Sequence, residues 1–351
     1  MMEKKKITLR DVADLAKVSI GTASQALNNK GGMLPETRER VIQAATQLGY
    51  NQRFSITEPS SERVNTLMVI KHDSYDRPGI DPFYFPVIAG IEKECQKYRI
   101  GMMYATVEVD HRNRAHGIPQ SVFSNQIDGV VVVGAFLDDM IARIGDWVKK
   151  PVILIDAYAP GREHDSIVMD NEMGAYKAVH HLIRNGHKHI GLIGYEPKAH
   201  PSVQERYRGY LRALEGHGIT DTYIEKSLLK RDAAYRAVQI LLKKHPEVTA
   251  IFVCNDNAAI GAINGAAHVG RNVPHDLSVV GFDDIDFAQE MVPPLTTVNV
   301  DKVAMGAVAV RQLLARADNP DEAITTTIVR TELVIRESVR NLSRKKHNDR
   351  T

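Results

Sequence analysis

The 351-residue sequence predicts a small all-α domain followed by a larger α/β body built on parallel sheets. Two short helices and a third supporting one fit residues 8–49, each carrying a single apolar stripe. Beyond a polar stretch, short and continuously apolar runs alternate with amphipathic helices. That alternation is the pattern of parallel strands covered on both faces.

Thr8 and Asp11 have the form of a helix N-cap with a carboxylate in the first turn, which suits the positive end of the helix dipole. Leu9, Val12, Ala13 and Ala16 then recur at one-face spacing. Lys17-Val18 makes a tight connection, and Ser19 can cap a second helix whose Ala23, Ala26 and Leu27 face inward. Its other face shows Gly21, Thr22, Ser24, Gln25 and Asn28, small or polar and almost uncharged. Short hydroxyls suit phosphates and an amide suits base edges, so this face fits a DNA major groove. The plainer reading is an ordinary three-helix bundle. Pro35 opens the third helix, Val41, Ile42, Ala45 and Leu48 give its stripe, and Gly49 can end it.

Residues 51–65 are polar, contain Pro59 and read as a linker. From there, strands are predicted at 66–71, 101–107, 129–134, 151–156, 189–194, 250–254 and 278–282. Helices are predicted at 83–98, 174–185 (stopped by Gly186), 202–217, 233–244 and 258–269. Two sheet units fit, at 66–158 and 166–282, and a β-rich segment at 324–339 should return to one of them.

Composition narrows the class. Residues 1–58 hold 9 Lys+Arg and 6 Asp+Glu, net +3; the whole chain is +2, so the remainder is −1. A basic module on a neutral body suits a protein that touches DNA with one end. Cys95 and Cys254 give neither a disulfide framework nor metal-ligand spacing and read as buried small hydrophobes of a reducing cytosol. The sequence shows no membrane-length apolar run and no signal-peptide segment, which places the protein in the cytoplasm. No cofactor or metal is called for. His180-His181 and His187/His189 read as surface residues.

Parallel sheets gather ligands at the carboxyl ends of their strands. Asp81, Phe83 and Tyr84 follow the first strand, Phe136 the third, and Asp156 with Tyr158 the fourth. In the second unit Arg206 opens a helix, while Asn255-Asp256 and Asp283-Asp284 end strands. Carboxylates, an amide and a guanidinium interleaved with rings suit a polyhydroxylated ligand. Singly, Asp170, Asn255 and Asp283 serve equally as helix caps, and Phe83 and Tyr84 as core; the set favours a ligand.

The run TLRDVADLAKVSIGTASQALN with ETRERVIQAATQLGY closely resembles the DNA-binding headpiece of LacI/GalR-type transcriptional regulators. SIVMDNEMGAYKAVHHLIRNGHKHIGLIG, ERYRGYLRALEGHGI, AIFVCNDNAAIGAI, VPHDLSVVGFDDIDFA and PPLTTVNVDKVAMGAVAV are similar to successive signatures of the same family's effector domain. The resemblance runs from Thr8 to about Val339. It implies a helix-turn-helix domain at 1–50, a hinge at 51–65, a two-lobed, type I periplasmic-binding-protein-like domain with Rossmann-like lobes at 66–340, and a flexible basic tail at 341–351. It also implies base reading by Ile20, Gly21 and Gln25 and phosphate contacts by Thr22, Ser24, Asn28 and Thr37, with Thr8, Leu9 and Ser19 alongside. Ligand contacts fall on Asp156, Arg206, Asn255 and Asp283, with Asp81 and Phe83 on the other wall and Tyr84 and Phe136 beside them. The implied partners are operator DNA, a sugar, sugar phosphate or polyol effector with a purine or other non-sugar ligand as the alternative, and a second copy of the chain.

Four departures bear on transfer. Gln25 stands where relatives commonly carry an Arg, and Gln prefers adenine to guanine. The hinge lacks Ala-Arg-x-Leu and contains Pro59, which removes a helical hydrogen bond and predicts less operator bending. The loop after the first strand is longer, with Asp81 in place of an Asn and Ala157 in place of a frequent Arg. The tail has no leucine heptads, which predicts a dimer, the symmetry a palindrome needs. A secreted solute-binding protein would have no use for the first 49 residues, and a dehydrogenase would need a G-x-G-x-x-G after a strand, which is absent.

Overall fold

A computed structural model of the chain describes residues 8–27, 34–48, 64–74, 81–109, 117–134, 144, 148–158 and 163–343. Expectations for Asn28, Phe136, the hinge up to residue 63, the loop at 75–80 and the tail after residue 343 lie outside these residues. The chain divides into two compact units, Met1–Ser61 and Glu62–Thr351.

The first unit holds α1 (Leu9–Ala16), α2 (Ile20–Leu27) and α3 (Pro35–Leu48). Thr8 and Asp11 form a reciprocal capping box: the Asp11 amide donates to Thr8 Oγ1, and the Thr8 amide donates to Asp11 Oδ2 at 2.7 Å. Lys17 takes a left-handed conformation and its amide closes onto Ala13 and Asp14, giving the tight connection the sequence predicts. Ser19 caps α2 by accepting from the Thr22 amide at 3.0 Å. Val12, Ala13, Ala16, Ala23, Ala26, Val41, Ala44 and Ala45 form the core. Small alanines let the three short helices approach closely, at the cost of little buried area per residue. Ile42 departs from expectation: it is 48% exposed, and Ala44 takes the inward place.

In the second unit a six-stranded parallel sheet contains β1 (Thr66–Ser74), β2 (Gly101–Val109), β3 (Gly129–Val133), β4 (Val152–Ile155), β5 (Asp165–Met169) and β11 (Thr326–Val329). Their spatial order is β2-β1-β3-β4-β5-β11. β3 and β4 are buried at every position, which is why they read as unbroken apolar runs; β5 is buried throughout as well but opens on the polar pair Asp165-Ser166 and does not read as one. A second parallel sheet, ordered β7-β6-β8-β9, contains β6 (Ile190–Tyr195), β7 (Tyr223–Lys226), β8 (Ala250–Val253) and β9 (Ser278–Val280). Bridges at Val280–Thr296 and Asp283–Asn299 continue it to β10 (Thr297–Val300), which pairs antiparallel with β12 (Thr331–Val334).

The helices are α4 (Tyr84–Tyr98), α5 (Asn171–Arg184), α6 (Pro201–Glu215), α7 (Arg231–Lys244), α8 (Asp256–His268), α9 (Asp286–Glu290) and α10 (Lys302–Asp318). They pack in pairs, α4 with α10, α5 with α6 and α7 with α8. At each crossing a glycine lets backbones touch: a Cβ on Gly306 would overlap the Val87 carbonyl, on Gly209 that of Glu172, and on Gly261 that of Arg231.

Two expectations about organisation change. β5 belongs to the first sheet, so residue 166 does not begin the second unit. The closing segment serves both lobes, β11 in the first sheet and β12 beside β10. The chain therefore passes between lobes three times, at Asp170, Asp301 and Arg330. Two of these crossings are tied together, because the Asp170 amide donates to the Val329 carbonyl at 3.0 Å and Thr331 Oγ1 donates to the Asp170 carbonyl at 3.2 Å. Among the described residues no helix is long and apolar enough to cross a membrane.

Candidate functional site

On the first unit, Ala23 and Ala26 are buried and hold α2 by one face. Ile20, Gly21 and Gln25 lie exposed on the other face, with Thr22 and Ser24 half-buried beside them. Ser19 Oγ meets Thr22 Oγ1 at 2.8 Å, which fixes both hydroxyls at the start of the helix. Thr8 is exposed and Leu9 and Thr37 are half-buried. Ile20, Gly21 and Gln25 are thus exposed on a helix that Ala23 and Ala26 hold to the core.

In the second unit, Asp81, Tyr84, Asp156, Arg206 and Asp283 come together where both sheets present their carboxyl ends. Asp156 follows β4 with φ 55°, and Asp283 and Asp284 follow β9 with φ 110° and 50°. Left-handed backbone at non-glycine residues carries strain and gathers at functional sites. Tyr84 Oη donates to Asp156 Oδ2 at 2.7 Å. Asp283 lies 3.5 Å from Arg206 Nη2, and both are buried. The Arg206 guanidinium stacks over the Phe282 ring at 4.0 Å and donates through Nε to Asn171 Oδ1 at 2.9 Å and through Nη1 to the Cys254 carbonyl.

Burial pushes the Asp283 carboxyl up to about 7 against the pull of Arg206 and Lys302, and Asp156 and Asp81 push it the same way as burial. Burial, then the neighbouring Asp156, raises the Tyr84 hydroxyl well above its ordinary value. Asp81 and Asp156 therefore act electrostatically on Asp283. Asp170 and Asn255 also do what the plainer reading expected and cap helices, and Asp81, which that reading left out, does the same. Asp81 Oδ1 caps α4 through the Phe83 and Tyr84 amides, and Asn255 Oδ1 caps α8 through the Ala258 amide at 2.8 Å. Phe83 is buried in the core, 5.0 Å edge-on from Tyr84.

Lys302, Arg336, Asn299, Asn171 and Glu205 join the site without having been named from the sequence. Lys302 donates to the main-chain carbonyls of Asp283, Asp284 and Val300. Asp284 is held by Arg336 at 2.7 Å and by Asn299 at 2.8 Å. Asp256, buried beneath, accepts from the Ile285 amide and from Thr297 Oγ1. Glu205 takes the Asn171 amide at 2.9 Å and the Tyr158 hydroxyl, from the facing lobe, at 3.2 Å. Cys254 is buried and burial raises its thiol, and Cys95 is buried too, as expected. His187 is not on the surface: it is 1% exposed, with Nε2 against the Arg340 carbonyl and Nδ1 against Thr249 Oγ1.

A capped three-helix unit with an exposed, small and polar second helix, joined to two parallel-sheet lobes with converging strand ends, defines a DNA-binding regulator with a periplasmic-binding-protein-like domain. Residues 8–52 match the model of bacterial regulatory proteins of the lacI family, and residues 179–339 match a periplasmic binding protein-like domain. The chain is 32% identical over 338 residues to the HTH-type transcriptional repressor CytR of Escherichia coli, covering 95% of this chain and 97% of that one. It is 30% identical over 340 residues to the ribose operon repressor of Haemophilus influenzae, covering 95% and 99%. The solved complex of the transcriptional regulator CelR with cellobiose superposes with a TM-score of 0.69 at 26% identity, covering 95% of this chain and 99% of the other. The chain belongs to the LacI family and is a DNA-binding transcriptional repressor.

Proposed function

We propose that operator affinity is controlled by a small polyhydroxylated effector held between the lobes, in a homodimer that reads a two-fold operator in the cytoplasm. The observation that carries this reading is the convergence of Asp156, Asp283, Arg206 and Tyr84 from the two lobes on one cleft. Vicinal hydroxyls donate well to paired carboxylates, and the stacked Arg206 keeps Asp283 oriented. Ile20, Gly21 and Gln25 read bases, while Ser19, Thr22, Ser24 and Thr37, with Thr8 and Leu9 at the helix start, position the headpiece on phosphates. Effector and DNA are coupled reciprocally: a ligand that favours one lobe arrangement changes operator affinity by its differential affinity for the two arrangements.

A thermal-shift screen of the full chain against sugars, polyols and purines tests this. A bound effector at one hundred times its dissociation constant adds about 2.7 kcal/mol of stability. The same compound should change operator binding in an anisotropy assay, and Arg206→Ala should remove both effects. A compound that shifts wild type and Arg206→Ala equally would overturn the cleft assignment. A purine hit would keep the cleft and replace the polyol.

A further inference from the structure

We infer that the effector binds by donating hydrogen bonds, as a neutral polyol or an amine-bearing compound, and carries neither phosphate nor carboxylate. This deepens the reading above and rests on it.

The first observation is an accounting of acceptors. Three carboxylates, Asp81, Asp156 and Asp283, face the cleft, with Glu205 beside them. Asp283 Oδ1 is buried and has no hydrogen-bond partner; its neighbour Arg206 Nη2 stands at 3.5 Å, beyond good donor geometry. A buried acceptor in that condition calls for a donor, and an incoming O–H or N–H supplies it.

The second is an accounting of cations. Arg206 spends Nε on Asn171, Nη1 on the Cys254 carbonyl and Nη2 toward Met169 Sδ, so both edges of its fork are engaged by the protein. The three donors of Lys302 go to three main-chain carbonyls. Arg336 is committed to Asp284 and to the Leu295 carbonyl. Among the described residues, these cations support the site's backbone and its carboxylates and leave no fork for an anion.

The third concerns the helix N-termini at the cleft, which in parallel α/β folds are the usual phosphate cradles. Here each carries a protein acceptor. Asp81 occupies the start of α4, Asp170 that of α5, His200 that of α6 and Asn255 that of α8. A phosphate would have to displace these caps and approach three carboxylates at once.

The test uses matched compounds on the full chain by titration calorimetry: ribose with ribose 5-phosphate, glucose with glucosamine and glucose 6-phosphate, and adenosine with its 5′-monophosphate. In any set that binds, the unphosphorylated or amino member should bind at least tenfold more tightly than the phosphorylated one. Asp283→Asn, or Asp156→Asn should the first fail to fold, should weaken that member at least tenfold. Tighter binding of a phosphorylated member, or unchanged affinity in a folded variant, overturns the inference while leaving the cleft in place. Binding by no member of any set overturns the cleft reading itself, and the inference with it.

Discussion

Asp283→Asn should stabilise the protein at neutral pH while damaging its cleft. Burial raises this carboxyl from 3.8 to about 7 even with Arg206 and Lys302 nearby, and Asp156 and Asp81 add to the rise. Asp256, Tyr84 and Cys254 complete the titratable neighbours, and none of their raised groups supplies compensating positive charge. A folded-state value above the unfolded one means the native state holds its proton longer. The stability this brings is complete below about pH 4 and is lost as pH rises through about 7. Roughly three units at 1.36 kcal/mol each give about 4 kcal/mol as the cost of ionising Asp283 in place. Asparagine is a neutral isostere of the protonated form and escapes that cost. Urea unfolding of both proteins should therefore give nearly equal stabilities near pH 4, and a gap in favour of the variant that widens to several kcal/mol by pH 8. A flat difference curve, or one in which the variant loses ground as pH rises, would refute the reasoning.

Other expectations follow the same logic. Burial lowers the His187 imidazole from 6.5 to about 4 against the Arg340 carbonyl, so its contribution has the opposite sign: about 3 kcal/mol is lost as pH falls from 6.5 to 4. His187→Gln should remove that loss, and parallel unfolding curves for the two proteins would count against it. Gly306→Ala should force α4 and α10 apart and cost about 1–3 kcal/mol, read as a lowered urea midpoint. Gln25→Ala should cost about 1–3 kcal/mol on the preferred operator and relax discrimination at one base pair, measured across a set of single-base operator variants; uniform weakening would reassign Gln25 to phosphate.

Much of the fold is legible because burial on two faces writes itself as unbroken apolar runs, as in β3, β4 and β8. β7 carries no strand signal because only Tyr223 of its four residues is buried, whereas β11 and β12 fall inside the β-rich segment expected at 324–339. β5 was assigned to the wrong lobe because sheet membership depends on pairing with β4 and β11, which no local pattern encodes. The site shows the same division. Asp156, Arg206 and Asp283 could be read from strand ends and motifs. Lys302, Arg336 and Asn299 could not, because they reach the cleft only through the crossings between lobes. His187 looked like a surface histidine beside a turn, and only the returning strand end at Arg340 buries it.

The three crossings also bear on how the protein is made. Neither lobe is a continuous piece of chain: the first sheet waits for β11, and α4 waits for α10, until residues 302–329 have been synthesised. A ribosome therefore releases a finished DNA-reading unit long before either lobe can close its core. The body can be completed only as a whole, by long-range pairings that form late. A product truncated before α10 would keep the headpiece but lack β11, β12 and the helix that packs on α4, leaving the first lobe open, so DNA binding and ligand control part company at the last seventh of the chain.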